Sequence, residues 1–180
     1  MSNKNEEMVV LVDAQDRMIG TMNKIEAHEK GILHRAFSVF IFNSDGLWLL
    51  QRRADHKYHS PGLWSNTCCS HPRESESTVD AGIRRLREEM GLYCQLRPQF
   101  QFTYRCKLPN GLIENELDHV LLGYSDTPPR INTAEVSEYK YISTADLEQM
   151  LHNQPERFTV WFKLCFHQVK HRFSELKHQQ

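Results

Sequence analysis

The sequence predicts one mixed α/β or α+β domain, and three observations carry that prediction. Apolar, strand-like runs alternate with helical patterns along the chain instead of gathering into separate blocks. The clearest helical pattern begins at Ser77. From there Val79, Ile83, Leu86 and Met90 recur on a narrow stripe, while Arg84, Arg85, Arg87, Glu88 and Glu89 take the remaining circumference. A chain of 180 residues with 39% apolar composition has the length of one domain and can bury a real core. Only the ends, about residues 1–7 and 174–180, are expected to fray.

In chain order, MVVLV (8–12) reads as a first strand, followed by an Asp-rich turn and a short helix near NKIEAHEK that stops at Gly31. AFSVFIF (36–42) and LWLLQRR (47–53) are strands separated by Asn43-Ser44-Asp45-Gly46, a hairpin signal. Ser77 with Asp80 gives the long helix a capping-box start, and Gly91 gives it a stop. QFQFTYRCKL (99–108) and ELDHVLLGY (116–124) read as two strands joined through Pro109-Asn110-Gly111. SDTPPRIN (125–132) is a loop by its prolines; a short strand around EYKYI and a helix opened by Ser143 or Thr144 follow. In the last segment Phe158, Trp161, Phe162, Cys165, Phe166, Val169 and Phe173 keep the i, i+3/i+4 spacing of a longer helix facing the core.

Charge and composition narrow the function. A formal net charge of −1 and a pI near 6.8 argue against nucleic acid or an anionic membrane as the main partner. The N-terminus lacks the basic start and apolar core of a signal peptide, and no run approaches the ~18 apolar residues of a membrane span, so a cytoplasmic protein is expected. Five cysteines, an odd number without a regular frame, point to reduced thiols.

The residues that could carry chemistry cluster around WSNTCCSHPRESESTVDAGIRRLREEMGL (64–92), where a polar turn with Cys69 and His71 runs into the acidic helix. Upstream, Arg52, Arg53 and Lys57 form a basic group at a strand end, suited to clamping a diphosphate through planar Arg forks and a Lys point charge. Downstream, Glu114 and Glu116 lie two apart and share one face of an extended segment, where they repel unless a cation or proton sits between them.

The segment also resembles a Nudix box, whose pattern is G-x5-E-x7-R-E-U-x-E-E-x-G-U. Glu76, Arg84, Leu86, Glu88, Glu89, Gly91 and Leu92 match it; Ser70 stands where the pattern has Gly, and Arg85 where it has Glu. In Nudix hydrolases that Glu is a principal metal-binding or basic residue, which an arginine cannot replace. NTCCSHP before the box and GLIENE (111–116) after it make the chain, from about residue 8 to the Trp161 region, similar to the type 1 isopentenyl-diphosphate isomerases.

That resemblance implies a Nudix-type sandwich, a mixed β-sheet flanked by helices, acting on a small-molecule diphosphate as a monomer or weak homodimer. It implies Cys69 and Glu116 as the acid–base pair, without deciding which is the acid, and Tyr104 as the residue that relays or positions the proton. It implies a divalent metal, Mn²⁺ or Zn²⁺, on His28, His34, His71, Glu114 and Glu116, and a Mg²⁺ ion between Glu89 and the diphosphate. Lys24, Arg53, Lys57 and Arg85 would hold the anion and Trp161 would face the developing carbocation, while Glu76, Arg84 and Glu88 support the helix. A Nudix hydrolase would instead have to admit and activate water, and a non-catalytic Nudix-like binding module would not need the thiol and carboxylates.

Overall fold

Strand β3 (His34–Phe42) is buried on both faces, and the fold is built around it. Phe37, Val39 and Ile41 point to one side, Phe40 and Phe42 to the other, as the unbroken apolar run AFSVFIF requires. The computed structural model describes residues 7–177. In chain order the elements are β1 (Met8–Val12), β2 (Met18–Asn23), α1 (Lys24–Lys30), β3, β4 (Trp48–Arg53), β5 (Trp64–Ser65) and β6 (Cys68–Ser70). Then come α2 (Thr78–Met90), β7 (Leu96–Lys107), β8 (Ile113–Tyr124), β9 (Val136–Ile142), α3 (Thr144–Asn153), a 3-10 turn (Pro155–Arg157) and α4 (Val160–Lys177).

One mixed sheet of nine strands joins these among the described residues. β3 pairs in parallel with β8 from His34↔Glu116 to Phe42↔Tyr124. Its other edge is met in turn by β1 at His34, by β6 at residues 37–39 and by β4 at residues 41–42. The turn at Asn43–Gly46 forms as the sequence predicts, with Gly46 N donating to Asn43 O at 2.9 Å. The hairpin it starts, however, holds only Ile41↔Leu49 and Phe42↔Trp48 before the strands part. Thr67 bridges the gap: its hydroxyl donates to Leu49 O at 2.6 Å and accepts from Ile41 N at 2.9 Å. This splay lets β6 and its cysteines in.

Helix α2 covers one face and α3 with α4 the other, so the architecture is an α+β sandwich. Ala81, Leu86 and Met90 of α2 pack on Phe37, Val39 and Leu121, while Leu147 of α3 and Phe162, Phe166 and Val169 of α4 pack on Phe40, Trp48 and Leu122. Each fully buried Leu or Phe is worth about 1.5–3 kcal/mol over exposure, so the two layers dominate stability. Strand β2, which the sequence reading left inside the turn before α1, pairs along β1 at the sheet edge. Of the ends expected to fray, residues 1–6 and 178–180 lie outside the described residues; Glu7 joins its carboxylate to Lys24 at 2.8 Å, and α4 runs through Ser174 to Lys177. Among the described residues no helix is long and apolar enough to cross a membrane.

Candidate active site

The splayed edge of β3 opens onto a cavity of about 640 Å³ whose walls come from helices, strands and loops far apart in the chain. Lys24 reaches it from α1, Ser38 from β3, Arg53 from the end of β4, and Lys57, Tyr58 and His59 from the loop that follows. Cys69 enters from β6, His71 from just beyond it, Arg85 and Glu89 from α2, Glu114 and Glu116 from β8, and Trp161 from α4.

At one end the ligating atoms of His28, His34, His71 and Glu116 all lie within 4.8 Å of one another, and all four residues are buried. The backbone fixes two tautomers. His28 Nδ1 stands 2.6 Å from Lys24 O and His34 Nδ1 2.8 Å from Ile32 O; a carbonyl can only accept, so both Nδ1 atoms carry the hydrogen. In the neutral ring each Nε2 then offers a lone pair inward, and neither has a hydrogen-bond partner among the described residues. Neutral imidazoles aimed at a carboxylate, with their outer nitrogens tied to the backbone, fit a divalent cation.

Two carboxylates on the same face of β8 are driven apart in acidity. Burial works to raise Glu116, but the nearby imidazoles of His34 and His71, the latter hydrogen-bonded at 3.0 Å, hold it well below the usual carboxylate range. Burial and the charge of Glu116 push Glu114 up to about 7, against the pull of His28 at 3.2 Å. The same burial takes His71 down to about 4, with Glu116 opposing. Tyr104 lies behind this group and donates to Glu116 Oε2 at 2.7 Å.

Farther along the cavity the cations gather. Lys24 pairs with Glu7, Lys57 with Glu135, and Arg85 with Glu89 at 2.6 Å, Glu88 at 2.8 Å and Glu135 at 3.3 Å. Burying the Glu89 carboxylate alone would cost several kcal/mol; two donors from Arg85 and one from Gln51 at 3.1 Å offset that cost. Arg53 is different. It is buried, has no carboxylate partner among the described residues and leaves its Nε unpaired, while its guanidinium sits 5.5 Å from the Trp161 ring and 3.8 Å from Cys69 Sγ. Burial pushes the Cys69 thiol up to about 12, with Arg53 pulling it back. Trp161 is locked by its indole N–H, which donates to Ser65 Oγ at 3.0 Å and Asn66 Oδ1 at 3.2 Å.

Comparison with known proteins decides the lineage. The NUDIX domain matches residues 32–162. The isopentenyl-diphosphate Delta-isomerase of Pectobacterium atrosepticum is 54% identical over 96% of both chains. Isopentenyl-diphosphate Delta-isomerase 2 of Photorhabdus laumondii is 51% identical over 88% of this chain and 89% of its own. The chain belongs to the isopentenyl-diphosphate Delta-isomerase family. Its fold is likewise shared with more distant proteins. DR0079 of Deinococcus radiodurans superposes with a TM-score of 0.68 at 21% identity, covering 82% of this chain and 90% of that one. The NUDIX domain of Shewanella oneidensis NrtR gives 0.60 at 19% identity, covering 84% and 99%.

Set against this isomerase-family fold, the residues picked out in sequence converge on one place. His28, His34, His71, Glu114 and Glu116 form its closed end, with Glu114 beside the four-atom cluster instead of inside it. Lys24, Arg53, Lys57, Arg85 and Glu89 form the charged stretch, Cys69 and Trp161 line the wall, and Tyr104, like His28 and His34, stands back from the cavity surface, behind Glu116. Glu76 and Arg84 make a two-point bond at 2.7 and 2.8 Å that ties the loop before α2 to the helix. The sequence reading missed His59, one of ten histidines on an irregular loop, and Glu135, which approaches from the turn before β9. It also missed Asp118. That residue was legible, because it continues the two-residue alternation of Glu114 and Glu116, and it accepts from Ser38 Oγ at 2.8 Å deep in the sheet.

Proposed function

We propose that the protein interconverts isopentenyl and dimethylallyl diphosphate by proton addition to one alkene carbon and proton removal from its neighbour, through a tertiary carbocation. The observation that carries this reading is the placing of Cys69 and Glu116 on the walls of one cavity, with Trp161 and buried Arg53 beside the thiol and the histidine cluster behind the carboxylate. Cys69 and Glu116 exchange protons with the substrate on its two faces. Tyr104, hydrogen-bonded to Glu116, keeps that carboxylate turned and shares its proton. The Trp161 face, held by Ser65 and Asn66, attracts the carbocation by about 2 kcal/mol or more where water is excluded. Lys24, Arg53, Lys57 and Arg85 bind the diphosphate and orient the hydrocarbon tail toward Cys69.

His28, His34, His71 and Glu116, with Glu114 adjacent, would hold a divalent Mn²⁺ or Zn²⁺ ion, which when bound supplies positive charge that orients and polarises the Glu116 carboxylate. Glu89 would hold a Mg²⁺ ion, which when bound supplies positive charge beside the diphosphate, and Arg85, paired with Glu89 in this structure, would bind the phosphate. The same reading places the protein in the cytoplasm, as a monomer or weak homodimer, where its five free cysteines stay reduced.

Incubating the purified protein with isopentenyl diphosphate and both metal classes tests the proposal. Dimethylallyl diphosphate is expected, without release of phosphate; phosphate release without isomer would establish hydrolysis. Arg85 at the box position of the hydrolase glutamate already weighs against that outcome.

A further inference from the structure

His59 does not enter the mechanism above, yet it is one of the best-fixed groups in the cavity. Its ring lies 5.9 Å from His28 at an interplanar angle of 24° and 5.9 Å from Trp161 at 72°, and its backbone carbonyl accepts from Arg53 at 3.2 Å. The preceding carbonyl, of Tyr58, accepts from Asn110 Nδ2 at 2.8 Å. Ser60, next in the chain, has φ +47°, which turns the loop back over the site. The ring is buried, and its Nδ1 points at Glu114 Oε1 from 3.4 Å.

Both of those atoms are buried without a hydrogen-bond partner among the described residues. Buried polar atoms are rarely left unmatched, because each costs about 1–3 kcal/mol. On the far side of the carboxylate, Glu114 Oε2 stands 3.2 Å from His28 Nε2, so Glu114 lies between two imidazoles, of which only His28 belongs to the four-residue cluster. We infer that His59 is a positioning residue: its Nδ1–H pairs with Glu114 Oε1 and keeps the other oxygen of that carboxylate turned toward the metal cluster. The inference rests on the reading above for the use of the metal, but not for the geometry. His59 also separates that cluster from the Trp161 ring, so one side chain sets the carboxylate and spaces it from the aromatic wall.

The hydrogen bond and the ring can be tested apart. His59→Asn places an amide N–H near the position of Nδ1 without the ring, whereas His59→Phe keeps a ring beside His28 and removes the donor. Binding of Zn²⁺ or Mn²⁺ alone to metal-stripped, full-length protein is measured by competition with a chromophoric chelator, alongside thermal melts of the metal-free forms. His59→Phe is expected to weaken metal affinity about 10–100-fold, the usual effect of losing an outer-shell partner, and His59→Asn to restore most of it. Should His59→Phe not fold, His59→Ala takes its place. In a Glu114→Gln background the His59 change should add little further loss. Unchanged affinity in His59→Phe, equal weakening by Phe and Asn, or fully additive losses with Glu114→Gln would each overturn the assignment. A parent protein that binds metal as described and yields no dimethylallyl diphosphate would refute the isomerase reading and leave the role of His59 standing.

Discussion

Cys68 and Cys69 are chemically identical neighbours with opposite surroundings, because successive side chains of a strand face opposite ways. Cys68 is fully buried against Phe37, Val39 and Leu86 on the α2 side, and burial holds its thiol well above the ordinary range. Cys69 faces the cavity beside Arg53. Cys69→Ala is expected to leave a folded, metal-binding protein with almost no isomerisation and no exchange of solvent deuterium into substrate or product. Cys68→Ala should cost about 1 kcal/mol of packing and keep most of the turnover. Steady-state assays of the two variants side by side, with melts to check folding, decide between them; an active Cys69→Ala would mean the wrong thiol has been placed at the substrate.

Helix α2 brings Arg85 and Glu89 to the cavity, and its ends determine where they stand. Ser77 Oγ accepts from Asp80 N at 3.0 Å, the first half of a capping box, but its hydroxyl donates to the Asp80 carboxylate at 2.6 Å in place of the backbone return bond. At the other end Gly91 has φ +63°, and a Cβ there would meet the Arg130 carbonyl oxygen at 2.7 Å. Gly91→Ala therefore combines a left-handed backbone with a clash against main chain; a loss of about 1–3 kcal/mol is expected in denaturant titration. Ahead of the helix, the two-point bond from Arg84 holds the Glu76 carboxyl below its ordinary range. A depressed carboxylate stabilises the fold above the unfolded-state pKa and loses that contribution as pH falls through its folded value. The melting temperature of Glu76→Gln should thus fall below that of the parent at pH 7, with the gap closing toward pH 3. A gap that stayed constant with pH would show that the pair contributes through packing alone.

For the whole molecule, the histidine–glutamate cluster joins α1, β3, the segment after β6 and β8, so an ion bound there links parts of the chain that are far apart in sequence. Chelation should abolish activity and lower the melting temperature. Mn²⁺ or Zn²⁺ at about a hundredfold over its dissociation constant should return about 2.7 kcal/mol. Full activity in Mg²⁺ alone, with no transition metal or zinc by elemental analysis, would eliminate the five-residue site. The cation group should behave differently. Removing charge at Lys57 costs a charge-assisted bond of about 1.5–3 kcal/mol, so KM should rise about tenfold or more while the melt barely moves. Unchanged KM in Lys57→Met would exclude that residue from the anion site.

What the sequence determined by itself was every contribution with a local cause. The 3.6-residue stripe and Gly91 specified α2, the unbroken apolar run specified the strand that becomes β3, and two-residue alternation put Glu114 and Glu116 on one side of β8. Separated motifs in a fixed order, NTCCSHP, the box and GLIENE, mark the family. Tertiary structure alone decided what depends on distance through space. Strand β3 gives up its hairpin with β4 where β6 takes the same edge at residues 37–39 and β4 runs on along β9, and that parting makes the cavity. Glu89 becomes a buried partner of Arg85 and Gln51, although the helical pattern puts it off the apolar stripe. His59, with no periodicity to mark it, acquires its place from a loop folded across α1 and β8. Pattern records which way a side chain points from its own backbone; which other chain segment it meets there is set only when the whole sheet closes.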